Sequence, residues 1–321
     1  MKIVPIAPGD YVRTVLPQTY PFWGGGRSYH RYVADFLTTA QSWRVRPRRF
    51  TVALSIENEA VSSCKLYWRS LRWNGERLRA LGIGAVFTPP SFRGRGYASA
   101  MLGAVLDDAV REGADIAFLF SDIQPAFYAR LGFVEFPSRR FTVRASALSF
   151  DRVTVSPIAD EDWAPVRRCF ERMERGRSWS FTRTAATWTG VRDTMTARSP
   201  RGTQSVCLAV KRGSSVRAYV FGRRVAQAGE LVVRELGFAG DDARALLQPL
   251  LRAAAGDLDR VTGWLPPEPA RDALTGARVT PRRKAVLMMA SLSREGRRWS
   301  KACGPDAQSS RGDAVWIEDH V

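Results

Sequence analysis

Few residues in this sequence could hold a metal ion or build a disulfide framework. The chain has four cysteines and two histidines. Cys64, Cys169, Cys207 and Cys303 are far apart, with no Cys-x-x-Cys pair and no histidine spacing. This pattern argues against the usual zinc motifs and against a disulfide scaffold. We therefore expect reduced thiols and no metal.

Long apolar runs are also missing. No stretch approaches the about 18 apolar residues that a membrane-spanning helix requires, and residues 1–11 lack the apolar core of a signal peptide. The prediction is a cytoplasmic protein without membrane contact. With 321 residues, 45% of them hydrophobic and 11% aromatic, the chain can bury a full core and is long enough for two domains.

Acidic residues are outnumbered, and the net charge is +18, yet only 5 of the 49 basic residues are lysine. Residues 1–150 hold 20 basic and 11 acidic residues, and residues 151–321 hold 29 and 20. A nucleic-acid interface should form a local cluster of charge, so this even spread argues against one. The arginine run at 44–49 is the exception, and we interpret it as a solvated loop.

The most informative stretch of the chain runs from Leu81 to Phe133. An apolar strand at 81–88 is stopped by two prolines, because proline cannot donate a hydrogen bond to a sheet. An amphipathic helix follows, with apolar residues three and four positions apart, and Gly113 ends it. The turn between strand and helix is rich in arginine and glycine.

This turn, from Arg93 to Ser99, has the properties of an anion-binding site. Its backbone N–H groups lie beside the positive end of the helix dipole, and glycine at positions 94 and 96 lets a ligand approach the backbone. It fits neither the dinucleotide fingerprint nor the phosphate loop that ends in Gly-Lys-Ser/Thr, so a different phosphate ligand is needed. A plain strand-to-helix turn is the alternative interpretation.

A second strand at 115–120 and a short helix from Gln124 to Leu131 follow. Here the stretch closely resembles the core of the GNAT superfamily of N-acetyltransferases, whose motifs are Arg/Gln-x-x-Gly-x-Gly/Ala and Phe-Tyr-x-x-Leu-Gly-Phe. The residues at the fixed positions of these motifs are Arg93, Gly96, Ala98, Phe127, Tyr128, Leu131, Gly132 and Phe133. Residues 50–135 also look like the fungal lysine N-acetyltransferases and their bacterial relatives, which suggests a small amine as acceptor.

The resemblance implies acetyl-CoA as the donor, with its pantetheine arm along the fourth strand and its pyrophosphate on the turn. The residues implied to bind it are Val86, Phe87, Thr88, Arg93, Gly94, Arg95, Gly96, Tyr97, Ala98, Ser99 and Ser121. Ser121 is a departure, because the family often has asparagine there.

The resemblance also implies that Tyr128 lies beside the sulfur and protonates the departing thiolate. A phenol of pKa about 10 is a weak donor to a thiolate whose thiol has a pKa of about 8.5. We therefore expect the site to lower the pKa of Tyr128 or to strengthen its hydrogen bond. The alternative is a half-buried tyrosine that caps a short helix.

An amine acceptor is protonated at neutral pH, so the transfer needs a base or a water chain. The carboxylates that could serve are Glu57, Glu59, Asp122, Glu318, Asp319 and the carboxylate of Val321. The sequence does not rank them, and Asp122 and Val321 join Tyr128 in the predicted catalytic set. We interpret His30 and His320 as surface residues, with a base as the alternative.

The chain after residue 148 repeats the same order of elements. We therefore predict the α/β (α+β) class with tandem GNAT folds, each a mixed, mostly antiparallel sheet flanked by helices. Residues 1–148 would be the catalytic domain, and residues 149–321 a degenerate copy with a C-terminal tail. We expect strands at 133–136 and 141–147 to close the first sheet and a strand at 284–292 to close the second.

The second copy should not bind CoA in the same way, because Asp241 and Asp242 cap its helix where a pyrophosphate would lie. An active first copy followed by a degenerate second one resembles the Eis acetyltransferases, in which the C-terminal carboxylate returns to the first site as the base. The sequence thus predicts an acetyl-CoA-dependent N-acetyltransferase for a small primary amine such as lysine. A protein-lysine acetyltransferase and a non-catalytic acyl-CoA- or nucleic-acid-binding module are the alternatives.

Overall fold

The computed structural model describes residues 2–42, 50–57, 59–122, 125–149, 153–197, 199, 201–240, 242–274, 276–308 and 315–320. Within these ranges the chain forms two mixed sheets flanked by helices, which confirms the predicted class and the tandem layout. The arginine run at 44–49, Gln124, Asp241 and Val321 lie outside the described residues.

The strands are short to medium in length, and the longest form the hairpin of the first sheet. They are β1 (Lys2–Pro5), β2 (Thr51–Ile56), β3 (Glu59–Trp73), β4 (Glu76–Phe87), β5 (Ile116–Ser121), β6 (Val134–Glu135), β7 (Arg139–Arg144), β8 (Val155–Pro157), β9 (Trp179–Thr182), β10 (Thr203–Arg212), β11 (Ser215–Val225), β12 (Glu230–Phe238), β13 (Arg260–Trp264), β14 (Arg278–Pro281) and β15 (Val286–Ser291).

The helices lie between and after these strands. They are α1 (Pro8–Thr14), α2 (Leu16–Trp23), α3 (Tyr29–Ser42), α4 (Tyr97–Arg111), α5 (Pro125–Ala129), α6 (Trp163–Arg175), α7 (Ala185–Thr196), α8 (Ala243–Ala255), α9 (Arg294–Cys303) and α10 (Pro305–Gln308). None of the described helices is long and apolar enough to cross a membrane.

Each sheet has one parallel pair of strands near its middle. The first sheet has the order β1-β2-β3-β4-β5-β15-β6, with β9 added beside β3, and its parallel pair is β4 with β5. The second sheet has the order β14-β7-β13-β12-β11-β10-β8, and its parallel pair is β12 with β13. The other pairings among the described strands are antiparallel, as the mixed, mostly antiparallel plan predicts.

The two sheets exchange a strand. We expected the strand at 141–147 to close the first sheet and the strand at 284–292 to close the second, and both expectations are wrong. β7 lies between β13 and β14 of the second sheet, whereas β15 lies between β5 and β6 of the first. β7 alternates buried and less buried residues, whereas β15 is a run of buried apolar residues, and neither local pattern specifies a partner strand in a distant part of the chain.

The two faces of the first sheet are covered by different helices. On one face, Met101, Leu102 and Val105 of α4 are buried in a cluster that includes Ile83 and Leu119. On the other face, α1 and α3 form a second cluster. Position 119 therefore belongs to the α4 face, and its neighbours 118 and 120 belong to the opposite face, where they join a third cluster.

The segment before α3 is more ordered than expected. From the sequence, Pro21 and the three glycines at 24–26 predict a flexible aromatic loop at 20–26, but α2 extends to Trp23. Proline lies in the first turn of both α1 and α2, a position where its fixed φ favours a helix start. The Tyr20 hydroxyl donates to the backbone oxygen of Arg27 at 2.7 Å and fixes the turn that follows.

Candidate active site

β4 and β5 pair along only part of their length in the described ladder. The pairing joins residues 80–83 to residues 116–119 and then stops. Beyond this point β4 pairs with β3, and Phe120 and Ser121 of β5 pair with β15. The two parallel strands therefore separate at their carboxyl ends, which is where α/β sheets commonly bind ligands.

A bulge in β4 lies at the opening between these strands. The register with β3 shifts near Lys65, and Ala85 has a φ of 49°. A bulge changes the direction in which the following residues point. The predicted donor-binding residues Val86–Thr88 come directly after it, and the Ser62 and Thr88 hydroxyl oxygens lie 3.0 Å apart.

The turn before α4 leaves an open space lined by backbone. Gly94 has a φ of 74° and Gly96 a φ of 76°, and a Cβ atom built on either would meet nothing within 4 Å. No side chain caps α4 at Gly96. Among the described residues, no protein group accepts a hydrogen bond from the N–H groups of residues 94–99. This arrangement fits the pyrophosphate of a nucleotide cofactor.

The two arginines of the turn are exposed and border this space. The Arg93 Nε donates to the backbone oxygen of Thr88 at 3.1 Å, which holds its side chain over the end of β4. The guanidinium of Arg95 lies 5.9 Å from the centre of the Phe92 ring. Both guanidinium groups can contact a negatively charged ligand. Tyr97, Ala98 and Ser99 are partly buried at the start of α4.

Tyr128 lies in α5, on the α4 face of the sheet. It is half-buried, and its ring centroid is 4.9 Å from that of Phe127 and 6.2 Å from that of Phe133. No described residue forms a hydrogen bond with its hydroxyl. Burial, with a smaller contribution from Asp122, raises the pKa of Tyr128 to about 12.

The pKa of Tyr128 therefore moves in the direction opposite to the one expected from the sequence. The apolar rings around the phenol disfavour the phenolate. Of the two ways in which the site could help proton transfer, a lowered pKa is wrong for this structure. The site can therefore help the proton transfer only through a strong hydrogen bond from the Tyr128 hydroxyl to the developing thiolate.

The other predicted residues near the end of β5 occupy different environments. Ser121 is buried, and Asp122 is exposed. Asp122 Oδ1 accepts a hydrogen bond from the backbone N–H of Ala285 at 3.0 Å, which connects the end of β5 to the start of β15. Glu57 and Glu59 lie at the turn between β2 and β3.

A large cleft of about 2020 Å³ opens between the parts of the chain that carry the two sheets. β3, α3, α7 and the segment Val315–His320 contribute to its walls. Residues that line it include Asp35, Tyr67, Arg69, Thr187 and His320. None of the described residues that we predicted to bind the donor lines this cleft, so the cleft and the donor turn are separate features.

A buried ion cluster holds the segment Val315–His320 against both sheets. Arg183, which follows β9, donates to Glu235 of β12 at 2.6 Å and to Asp319 at 3.1 Å. The Tyr219 hydroxyl donates to the other oxygen of Glu235 at 2.6 Å. All four side chains are buried. The segment also places Trp316 in the core of the second sheet.

His320 ends the described segment and returns to the first sheet. Its ring centroid lies 4.8 Å from that of Phe120 in β5 and 6.0 Å from that of Trp264. The expectation that His320 is a loop or helix surface residue is therefore incomplete, because the ring is exposed but lines the cleft. The only feature of the sequence that indicated a role for His320 was its place in the run Trp316-Ile-Glu-Asp-His, which combines polar and aromatic residues. Nothing in the sequence pattern indicated Arg183.

The second sheet has a turn at the position that corresponds to residues 93–99. Asp242 caps α8, because its Oδ1 accepts from the N–H of Ala245 at 2.9 Å. This confirms the predicted cap at Asp242. A Cβ atom on Gly240 would lie 2.9 Å from the Arg217 guanidinium, so this turn is closed by side chains where the first turn is open.

The part of the chain that carries both motifs matches a known family. Residues 27–135 match the family model described as acetyltransferase (GNAT) domain. A comparison with curated protein sequences returned no significant match. The predicted likeness to fungal lysine N-acetyltransferases therefore stays a prediction.

Solved structures with a similar fold cover most of the chain. A GCN5-related N-acetyltransferase from Anabaena variabilis is 14% identical, with a TM-score of 0.69, over 91% of this chain and 73% of that one. Eis1 from Mycobacterium abscessus is 13% identical, with a TM-score of 0.63, over 91% and 74%. A tandem GNAT protein from the clavulanic acid biosynthesis pathway is 13% identical, with a TM-score of 0.52, over 91% and 98%. At these identities the likeness shows the fold.

Proposed function

Since residues 27–135 match the model of the acetyltransferase (GNAT) domain, we propose that the protein is an acetyl-CoA-dependent N-acetyltransferase that modifies a primary amine of a small molecule, such as lysine or another amino compound. The observation that carries this proposal is the separation of β4 and β5 at their carboxyl ends, because the uncapped, glycine-containing start of α4 follows β4 and Tyr128 follows β5. We also propose that residues 1–148 form the catalytic domain and residues 149–321 a degenerate copy.

The donor is held by backbone groups more than by side chains. The N–H groups of residues 94–99 and the start of α4 bind the pyrophosphate, and Arg93 and Arg95 add positive charge. Val86–Thr88 offer the free edge of β4 to the amide groups of the pantetheine arm. Acetyl-CoA supplies the thioester carbonyl that is transferred.

The transfer is direct and has no covalent intermediate with the protein. The amine attacks the thioester carbonyl, and an N–H of the Val86–Thr88 edge donates to the oxygen on which negative charge develops. Tyr128 holds a proton next to the sulfur and gives it up as the carbon–sulfur bond breaks. Asp122 and the Val321 carboxylate remain predicted partners for the proton of the amine.

The cleft supports a small acceptor. It is bordered by α3, β3, α7 and the segment Val315–His320, and it holds both arginines and carboxylates, among them Arg31 and Asp35, which form a salt bridge at 2.7 Å. Such a mixed lining can orient a molecule that carries an amine and other polar groups.

The test is the release of free thiol from acetyl-CoA in the presence of L-lysine, an aminoglycoside or a lysine-containing peptide. We expect amine-dependent release and an acetylated small molecule in mass spectrometry. Acetylation of the peptide alone would favour a protein-lysine acetyltransferase. Salt-sensitive retention of DNA or RNA without any thiol release would replace the enzyme by a binding module.

A further inference from the structure

The end of β5 separates two sides of the predicted reaction centre. Leu119 belongs to the α4 face, where Tyr128 also packs. Phe120 points to the opposite face, and the His320 ring lies against it at 4.8 Å. Tyr128 and His320 therefore flank the same strand end from opposite faces of the sheet. A thiolate that leaves on the α4 face would have Tyr128 nearby, and an amine that attacks from the opposite face would have His320 nearby.

His320 is accessible from the acceptor side. It lines the cleft together with Tyr67 and Arg69 of β3, and the ring is exposed within it. Within the described chain, no group forms a hydrogen bond with the imidazole. Its ring nitrogens are thus available to a molecule in the cleft.

The carboxylates of the neighbourhood already have partners. Glu318 forms an ion pair with Arg234 of β12. Asp319 is held by Arg183, and Asp122 accepts from the backbone of residue 285.

We propose that His320 is the general base of the acetyl transfer and takes a proton from the ammonium group of the acceptor. This inference rests on the proposed function. One ammonium proton passes to the imidazole, and the freed lone pair forms the carbon–nitrogen bond. The carbon–sulfur bond breaks, and the electron pair on sulfur takes the phenolic proton of Tyr128. The nitrogen bonded to carbon is still cationic, and it gives its second proton to the phenolate of Tyr128 while the imidazolium releases its proton to solvent.

The environment of His320 keeps its imidazole neutral at physiological pH, chiefly because burial by the surrounding protein atoms lowers the pKa. Arg282 before β15 and Arg234 of β12 also lower the pKa of His320, whereas Asp122 acts in the opposite direction. Glu318 lies on the same segment but is paired with Arg234. A neutral imidazole can accept the ammonium proton, and the fraction of acceptor that it deprotonates is consumed as the carbon–nitrogen bond forms.

The test compares His320→Gln with wild type, using whichever amine of the panel gives the greatest turnover. We expect kcat to fall by about 10²-fold, with the Kd for acetyl-CoA unchanged in calorimetry. His30→Gln is the matched control, because His30 is the only other histidine and is exposed on α3. His320→Ala should regain turnover when imidazole is added.

The dependence of kcat on pH distinguishes a general base at position 320 from a residue with only a structural role. Wild-type kcat should fall at low pH, as His320 becomes protonated, and level off once the imidazole is neutral. In His320→Gln, the rate should instead keep rising with pH toward the pKa of the amine, because the free amine is then supplied by solvent alone.

Three outcomes overturn the inference in different ways. If His320→Gln keeps wild-type turnover and pH profile while wild type acetylates an amine, the inference fails alone. If wild type acetylates no amine of the panel, the proposed function fails and the inference fails with it. Two glycines added after Val321 test the predicted terminal carboxylate: loss of activity there, with His320→Gln active, also overturns the inference.

Discussion

A phenol that is surrounded by apolar rings keeps its proton over a wide range of pH. Burial raises the pKa of Tyr128 to about 12, so the group stays protonated throughout the range in which an acetyl transfer would be assayed. The proton is therefore always present, and its transfer depends on how close the developing thiolate comes to the hydroxyl. Removing the hydroxyl while keeping the ring tests this role directly.

Tyr128→Phe should reduce kcat by about 10²-fold and leave the Kd for acetyl-CoA nearly unchanged, because the ring packing against Phe127 and Phe133 is preserved. Steady-state kinetics and calorimetry measure the two quantities. In wild type, the folded-state pKa lies above the assay range, so no loss of rate up to about pH 10 should come from the phenol. Equal turnover by the variant would remove Tyr128 from the mechanism.

The turn before α4 combines two properties that only glycine provides together. Gly94 and Gly96 adopt positive φ, and neither faces a neighbouring atom in the space where a side chain would project. A side chain at either position would strain the backbone and also fill the space in which a pyrophosphate would lie. The two effects can be separated by substitution.

Gly96→Glu should abolish acetyl-CoA binding, because a carboxylate would stand beside the diphosphate. Gly96→Ala carries the strain of positive φ without the charge and should weaken binding less. Gly103→Glu adds the same charge in the interior of α4, where residue 103 has open space around it, and should bind nearly as wild type. Calorimetry measures all three, and undiminished affinity of Gly96→Glu would refute the placement of the diphosphate.

Elements with a strong local signal could be predicted from the sequence. The period of apolar residues in α4 and the Asn74-Gly75 turn between β3 and β4 both correspond to the structure. α1, α2, β9 and β14 were missed because they are short, and the proline of α2 at position 21 reads as a loop signal. The partners of β7 and β15 could not be predicted, since pairing between distant strands leaves no mark in local pattern.

Predicted site residues were informative when they belonged to a motif. The 93–99 turn follows β4 and Tyr128 follows β5, after the point where the two strands separate, and the roles of these residues stay predictions. His320 was undervalued because a tail residue far from both motifs gives no sign of the strand that it will contact. Arg183 gave no signal, because a buried arginine is recognised only by its partners.

On the scale of the whole molecule, the Arg183 cluster joins parts that are distant in sequence. Arg183 follows β9, which pairs with the first sheet, while Glu235 lies in the second sheet and Asp319 in the segment Val315–His320. The guanidinium also lies 4.2 Å from the centre of the Phe170 ring. Removing this one cation would take the guanidinium away from two buried carboxylates, which would keep only neutral donors, Tyr219 to Glu235 and the backbone N–H of Trp316 to Asp319.

Arg183→Met should lower the free energy of unfolding by about 3–5 kcal/mol, because it leaves buried charges uncompensated. Arg167→Met is the matched control: Arg167 and Glu171 form an exposed pair within α6, and its loss should cost at most about 1 kcal/mol. Urea denaturation of the two variants and wild type gives the comparison. Equal stabilities of the two variants would mean that the cluster contributes little.

The exchange of β7 and β15 predicts that neither half of the chain folds well alone. Residues 1–148 lack β9 and β15, which belong to the first sheet, and residues 149–321 lack β7, which lies inside the second. Each half expressed separately should aggregate, because unpaired strand edges are exposed. Co-expression of both halves should restore a soluble complex.

Size-exclusion chromatography and thermal unfolding of the separate halves check this prediction. A half that is monomeric and unfolds cooperatively would show that its sheet tolerates the missing strand. It would also indicate that the boundary at residue 148, which the sequence repeat suggests, separates units that fold independently.

The same strand exchange has a consequence for biosynthesis. While the ribosome is still translating the second half, β5 and β6 have already emerged, but the strand that belongs between them has not yet been made. The first sheet can be completed only when Val286–Ser291 leave the exit tunnel. The predicted donor-binding turn is thus synthesised early, whereas the sheet beside which it lies is completed only near the end of translation.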